Sequence, residues 1–290
     1  MATLQHLDDV DLAYEVEGAG TPLVLLHGSW TDRRSWDLVT DRLARDFTVV
    51  RYDRRGHSES PPATGSFDDA RDLSALIDDL DLGPVHVAAS SSGGVIALRL
   101  AAHRPELLRS IVSHEPPLTS LIPEGDGARP IVDDAVAQEQ TVGAQIEAGD
   151  HAGAARRFVE ELALGPGAWD MLPEALRSTM VRNAATFAEE VRDPSSRWVD
   201  LDSLRGFQRP VLLTEGGVGP GWYGAAIDRL AEALPAVSRH CYSEAGHMPH
   251  ASHPEEYVEV VGGFLRMVDA SAAALSRAAP RRPSLGRRSP

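Results

Sequence analysis

The chain has no lysine. All 28 basic side chains are arginine, set against 43 aspartates and glutamates, for a net charge of −15 at pH 7. We read the arginine-for-lysine use as codon bias. The acidic balance argues against nucleic acid as a partner, because a phosphate grip needs clustered basic residues. Cysteine is almost as scarce: Cys241 stands alone. A lone thiol excludes an internal disulfide framework and a cysteine-type metal site. No apolar run reaches the 18 residues of a membrane span. The start, MATLQHLDDVDL, is too polar for a signal peptide. The expectation is therefore a cytoplasmic protein with no membrane partner. At 290 residues, 42% hydrophobic and 24% charged, it reads as soluble and globular, with length enough for a full core.

What is present is an alternation of strand and helix signals. LAYEVEG (12–18), PLVLLHG (22–28), FTVVRYD (47–53), VHVAAS (85–90) and LRSIVSHEPP (from Leu108) read as strands. Between them, 35–46, 68–83 and the segment from Gly93 carry apolar residues at helical spacing. This predicts an α/β fold with a mainly parallel central sheet flanked by helices. From 118 to 205 only helical patterns occur, read as an inserted cap. Core patterns resume at RPVLLTEG (209–216) and close with a helix over 254–268. The predicted organisation is thus a core of 1–117 and 206–268, a cap of 118–205, and a disordered Arg/Pro-rich tail of 269–290.

The stretch VHVAASSSGGVIALRL holds three adjacent serines where a strand gives way to a helix. A nucleophile on so sharp a turn needs small residues two before and two after it. Only Ser91, between Ala89 and Gly93, has the smallest pair and a glycine pair at the helix entry. The plainer alternative is a serine capping the helix. A serine hydroxyl needs a base. SEAGHMPHASHPEEY offers His247, His250 and His253. His247, after a glycine on a late loop, is the candidate base, His250 a pocket residue and His253 a turn element.

The acid is harder to place. An aspartate is expected a few residues past RPVLLTEG, yet Gly216, Gly217, Val218 and Gly219 supply no carboxylate. Glu115, in VSHEPP at the end of the strand after the nucleophile helix, is the candidate, with Glu215 next. Active-site groups in open α/β sheets collect at such strand ends. Backbone N–H groups around Gly28 and Ser29, with that of Ser92, are candidates for an oxyanion hole. Trp30, Phe187, Trp222, Tyr223 and His250 are the candidate substrate pocket. No cofactor is expected, and no metal, since no His/carboxylate group has zinc spacing.

HGSW, YDRRGHSES, the serine elbow and EAGHMPHASHPEEY together resemble the α/β-hydrolase superfamily, from about Leu12 to Val268. Within it, SSSGG, SHEPP and GHMPHASHP are similar to the zearalenone lactonase type. Those enzymes open a resorcylic macrolactone and use a glutamate after the sixth strand. The resemblance implies Ser91 as nucleophile, Glu115 as acid, His247 as base, and Gly28 with Ser92 for the oxyanion. Where that family has a cap tryptophan over the substrate, the register here gives Phe187. The expected function is cofactor-free cleavage of a small hydrophobic carboxyl ester or lactone, by a monomer or homodimer. The alternatives are a tailoring enzyme for a secondary metabolite and a ligand-binding receptor on a hydrolase scaffold.

Overall fold

Leu23 and Leu25 turn to one side of their strand, Val24 and Leu26 to the other, and all four are fully buried. A strand apolar on both faces must lie between two helical layers. That requirement organises the molecule. The computed structural model describes residues 3–7, 10–62, 68–219 and 221–278. Its eight strands are β1 (Thr3–Leu7), β2 (Val10–Glu17), β3 (Thr21–Leu26), β4 (Phe47–Tyr52), β5 (Val85–Ser90), β6 (Leu108–His114), β7 (Val211–Gly216) and β8 (Val237–Tyr242). They form one sheet in the order β1-β2-β4-β3-β5-β6-β7-β8. The pairs from β4 to β8 are parallel; β1 and β2 are antiparallel additions at one edge.

Helices α1 (Asp37–Leu43), α2 (Asp69–Asp79) and α3 (Ser92–His103) belong to the first half of the sheet. Helices α4 (Arg129–Glu147), α5 (His151–Arg157), α6 (Ala168–Met171), α7 (Glu174–Arg192) and α8 (Leu201–Arg205) lie between β6 and β7. The second half adds α9 (Trp222–Ala233), α10 (Pro249–Ser252) and α11 (Pro254–Ala278). One apolar cluster joins α2, α3, α8 and α9 to the Val24 face of the sheet. A second joins α1 and α11 to the Leu23 face. A third lies in the inserted segment, where Val142, Ile146, Met180 and Phe187 pack around Trp30. Trp30 is a core residue with positive φ, 68°, so its ring leaves the sheet and enters the cap's own cluster.

Two features depart from the sequence reading. β1 was not expected: TLQHL is short, and it is recruited as an edge strand by pairing with β2. The tail does not begin at 269. α11 continues to Ala278, because DASAAALSRA is rich in good helix formers and the first proline comes at 280. Asp269 anchors this extension, accepting from the buried His86 at 3.1 Å. The remainder of the expected disordered tail, 279–290, lies outside the described residues. No helix among the described residues is long and apolar enough to cross a membrane.

The YDRRGHSES stretch is explained by one buried carboxylate. Asp53 follows β4 and is fully buried. It accepts from the backbone N–H groups of Arg33 (2.9 Å) and Glu59 (3.0 Å) and from the Arg33 guanidinium, itself buried. Its own backbone C=O accepts from Ser60, whose hydroxyl in turn accepts from the Ala13 N–H. Removing Asp53 strips the buried Arg33 of its only buried carboxylate among the described residues, leaving the partly exposed Glu59 and Glu15, and leaves the two backbone N–H groups without their acceptor. Asp53→Ala is expected to lower unfolding free energy by about 3 kcal/mol or more, measured by urea denaturation. A loss below about 1 kcal/mol, the range of a surface pair, would contradict this account.

Candidate active site

Of the three adjacent serines, only Ser91 has positive φ, 55° with ψ −128°. That backbone state is costly for a residue with a side chain and is the mark of a strand-to-helix elbow. The surroundings hold it there. The Ser91 N–H donates to the His114 carbonyl at 2.8 Å, tying the turn to β6. A Cβ on Gly93 would stand 2.6 Å from the carbonyl oxygens of Leu26 and His27. One on Gly28 would stand 2.9 Å from the Ser91 Cβ. The helix can enter so close to β3 only because both positions lack a side chain. Ala89 lies within β5 and is not among the positive-φ residues, so a methyl group is tolerated there.

Glu115 takes the same kind of bend at the end of β6, with φ 42°. Its N–H donates to the Thr214 carbonyl at 3.0 Å, and its side chain is buried. One carboxylate oxygen accepts from the Gly216 N–H at 2.8 Å. The other accepts from His247 Nδ1 at 2.6 Å. Burial pushes this carboxyl up, but the bond and charge of His247, the neighbouring His114 and the Gly216 N–H outweigh it and hold it below its ordinary value. The competing Glu215 points elsewhere, to Arg239 at 3.2 Å. In the loop after β7, a Cβ on Gly217 would meet the Ser243 carbonyl oxygen at 2.4 Å, so the loop is packed backbone to backbone at that position.

His247 follows β8 on a loop, and the ring of Tyr223 stacks on it at 5.1 Å and 19°. With Nδ1 donating to the carboxylate, Nε2 is left as a proton acceptor. His247 and Ser91 line one cavity. Among the described residues no direct hydrogen bond joins the two side chains; such bonds commonly tighten only with substrate present.

The oxyanion candidates sit around the elbow. Ser92 is the first residue of α3, so its N–H has no partner within the helix. The Ser29 N–H bonds to no protein acceptor among the described residues. His27 sets the Gly28 turn. Its Nε2 accepts from the Arg54 N–H at 3.0 Å, so its proton is on Nδ1, which donates to the Gly28 carbonyl at 2.8 Å.

The cavity over Ser91 has a volume of about 50 Å³. Its cap side is apolar, with Phe158, Val159, Leu164, Leu172, Leu176 and Met180. Of the predicted pocket residues, Trp30 and His250 line it. Phe187 and Tyr223 line a smaller space on Ser91, of about 30 Å³, together with Glu139 and Arg197. Trp222 does neither. It is stacked behind Tyr223 at 4.0 Å, where the helix carries it into the core. His114, Arg54 and Glu190 escaped the sequence reading. His114 lies beside the acid, its Nδ1 within 3.0 Å of the Thr214 hydroxyl and its Nε2 3.6 Å from the Glu115 carboxylate. His114, Glu115 and His247 place one ligand atom each within 4.8 Å of one another, a metal-like grouping that sequence spacing did not show. Two of its three members, Glu115 and His247, are the candidate acid and base already joined by a hydrogen bond.

Residues 23–260, more than half of the chain, match the Alpha/beta hydrolase family. The chain is 38% identical to the uncharacterized hydrolase YraK of Bacillus subtilis over 128 residues, 41% of this chain and 46% of that protein. It is 25% identical to a proline iminopeptidase of Heyndrickxia coagulans, covering 88% of this chain and 94% of that one. It is 29% identical to the pimeloyl-[acyl-carrier protein] methyl ester esterase of Aeromonas salmonicida, covering 88% and 100%. The chain thus spans under half of YraK and nearly all of the other two.

Burial also makes the site sensitive to acid. Burial is the main cause that lowers His114 to about 4 and His57 and His250 to about 3, from 6.5. Unfolding returns them to the ordinary value. Between pH 6.5 and about 4 the unfolded chain therefore binds protons that the folded chain refuses, and stability falls as pH falls. Glu115 adds to the loss only lower, as pH drops through its depressed value. The melting temperature is expected to decline steadily from pH 6.5 to 4 in calorimetry. A flat profile between pH 7 and 5 would contradict neutral buried histidines.

Proposed function

We propose that this chain, which belongs to the Alpha/beta hydrolase family, is a serine hydrolase of small hydrophobic carboxyl esters or lactones. The observation that carries the reading is the 2.6 Å bond from His247 to the buried carboxylate of Glu115, with Ser91 on the same cavity. In this reading Ser91 Oγ attacks the carbonyl carbon while His247 Nε2 takes its proton. Glu115 holds the imidazole in the productive tautomer and faces the charge that forms on it. The N–H groups of Ser29 and Ser92 meet the oxyanion. The intermediate collapses, His247 returns the proton to the departing alkoxide oxygen, and an acyl-Ser91 ester remains. Water then repeats the sequence, with His247 as base, and frees the carboxylic acid. In a lactone the alcohol stays tethered and the ring opens.

The apolar cap lining favours an acyl or lactone part without charge. The esterase relative supports the ester class, while the iminopeptidase relative shows that family membership does not choose the bond. The cavity is bounded by the apolar cap on one side and by Ser91 and His247 on the other. A resorcylic macrolactone such as zearalenone is a test substrate alongside smaller ones.

The test is turnover of a panel of chromogenic esters and lactones. Ser91→Ala is expected to abolish it. Glu115→Gln is expected to lower kcat by roughly four decades, as loss of the orienting acid does in such triads. Glu215→Gln, facing Arg239, is expected to change little. Normal turnover by Glu115→Gln would sink the assignment of the acid. Tight binding of panel members without turnover by the intact chain would favour the receptor reading.

A further inference from the structure

Four side chains close a ring around the elbow. The Arg54 guanidinium donates to the Ser92 hydroxyl at 2.9 Å and to a Glu190 oxygen at 2.8 Å. The Ser29 hydroxyl donates to the other Glu190 oxygen and lies 3.1 Å from that of Ser92. A hydroxyl has one proton. Ser29 spends its proton on the carboxylate, so Ser92 donates to Ser29. The ring then runs one way, from the cation of Arg54 through Ser92 and Ser29 to the anion of Glu190. Arg54 is buried and braced from behind by Asp69 at 2.9 Å. Its backbone N–H is the group that fixes His27.

Three members of this ring belong to the core. Glu190 alone comes from the cap, near the end of α7. The two serines it reaches, directly and through one hydroxyl, are those whose N–H groups face the oxyanion in the reading above. The cavity over Ser91 lies between the core and the cap. Moving α7 away breaks the bonds of Glu190 to Ser29 and Arg54; its return restores them. We propose that Glu190 is a positioning residue that couples cap closure to alignment of the oxyanion hole. The proposal rests on the hydrolase reading of Ser91.

The test compares two ligands carrying the acyl chain of the best chromogenic ester. One is the trifluoromethyl ketone, which forms a tetrahedral adduct with the nucleophile. The other is the methyl ketone, which occupies the pocket without one. Glu190→Ala is expected to lower kcat and trifluoromethyl ketone affinity together, by about 10- to 100-fold, the scale of a small misplacement of reacting groups. KM and methyl ketone affinity are expected to stay near wild type. Glu190→Gln, which keeps an acceptor but not the charge, is expected to fall between, and it carries the test alone if the alanine variant does not fold. Glu189→Gln, on the exposed side of the same helix, is expected to match wild type. Unchanged kcat in the Glu190 variants overturns the proposal. So does equal weakening of both ketones, which marks damage to the pocket alone. An intact chain that turns over no ester refutes the hydrolase reading and this inference with it. An active one, indifferent to Glu190, refutes only the coupling.

Discussion

The carboxylate of Glu115 is the constraint on which the site depends. It is buried at the end of β6, and a buried charge persists only when its oxygens are satisfied. One oxygen takes the Gly216 N–H from β7, and the other takes His247 from the loop after β8. Three neighbouring strand ends are thereby tied to one point. The positive φ at Glu115 is the local cost of aiming the side chain back across the sheet. The glycine-rich turn after β7 follows from the same arrangement. With the charge supplied from β6, that turn carries no acid and packs its backbone against the β8 loop.

A parallel logic runs through β3, β4 and α3. The elbow at Ser91 needs its neighbours to come within backbone contact, which Gly28 and Gly93 allow. The loop they form is then fixed by polar groups from the turn after β4. Asp53 organises that turn, Arg54 extends from it to Ser92, and its N–H orients His27. Fixed dipoles around a nucleophile need no rearrangement during reaction, which is where such sites gain most of their effect. Contacts in both directions join the cap to this scheme. Trp30 reaches up into the cap's apolar cluster, Glu190 reaches down to the elbow, and Asn183 and Thr186 of α7 bond to Ser58, Thr31 and His57.

Much of this was legible in the residue order, and the reasons are physical. Strand and helix periodicity exposed the α/β alternation, because both faces of the sheet must be apolar. The Ser91 frame could be chosen by side-chain size alone, since the elbow tolerates only small flanks. Glu115 was reached by elimination from an acid missing near Gly219, and the structure brings its carboxylate to His247. What stayed hidden depends on three-dimensional meeting. Glu190 and Arg54 are 136 residues apart and look like ordinary surface charges until the cap folds onto the core. Trp222 and Tyr223 are adjacent in sequence, but the helix sends only Tyr223 to the histidine. The length of α11 was missed because the Arg/Pro composition of its last residues was extended backwards over an alanine-rich stretch that makes good helix.

The central claim is that Ser91, and neither neighbour, is an activated nucleophile. The direct measurement is covalent labelling with an alkyl fluorophosphonate, followed by tandem mass spectrometry of the peptide spanning Ser90, Ser91 and Ser92. The account predicts one adduct per chain, on Ser91, with labelling slowed strongly in Glu115→Gln. An adduct on Ser90 or Ser92, or an ester-cleaving chain that takes no label on Ser91, would contradict it.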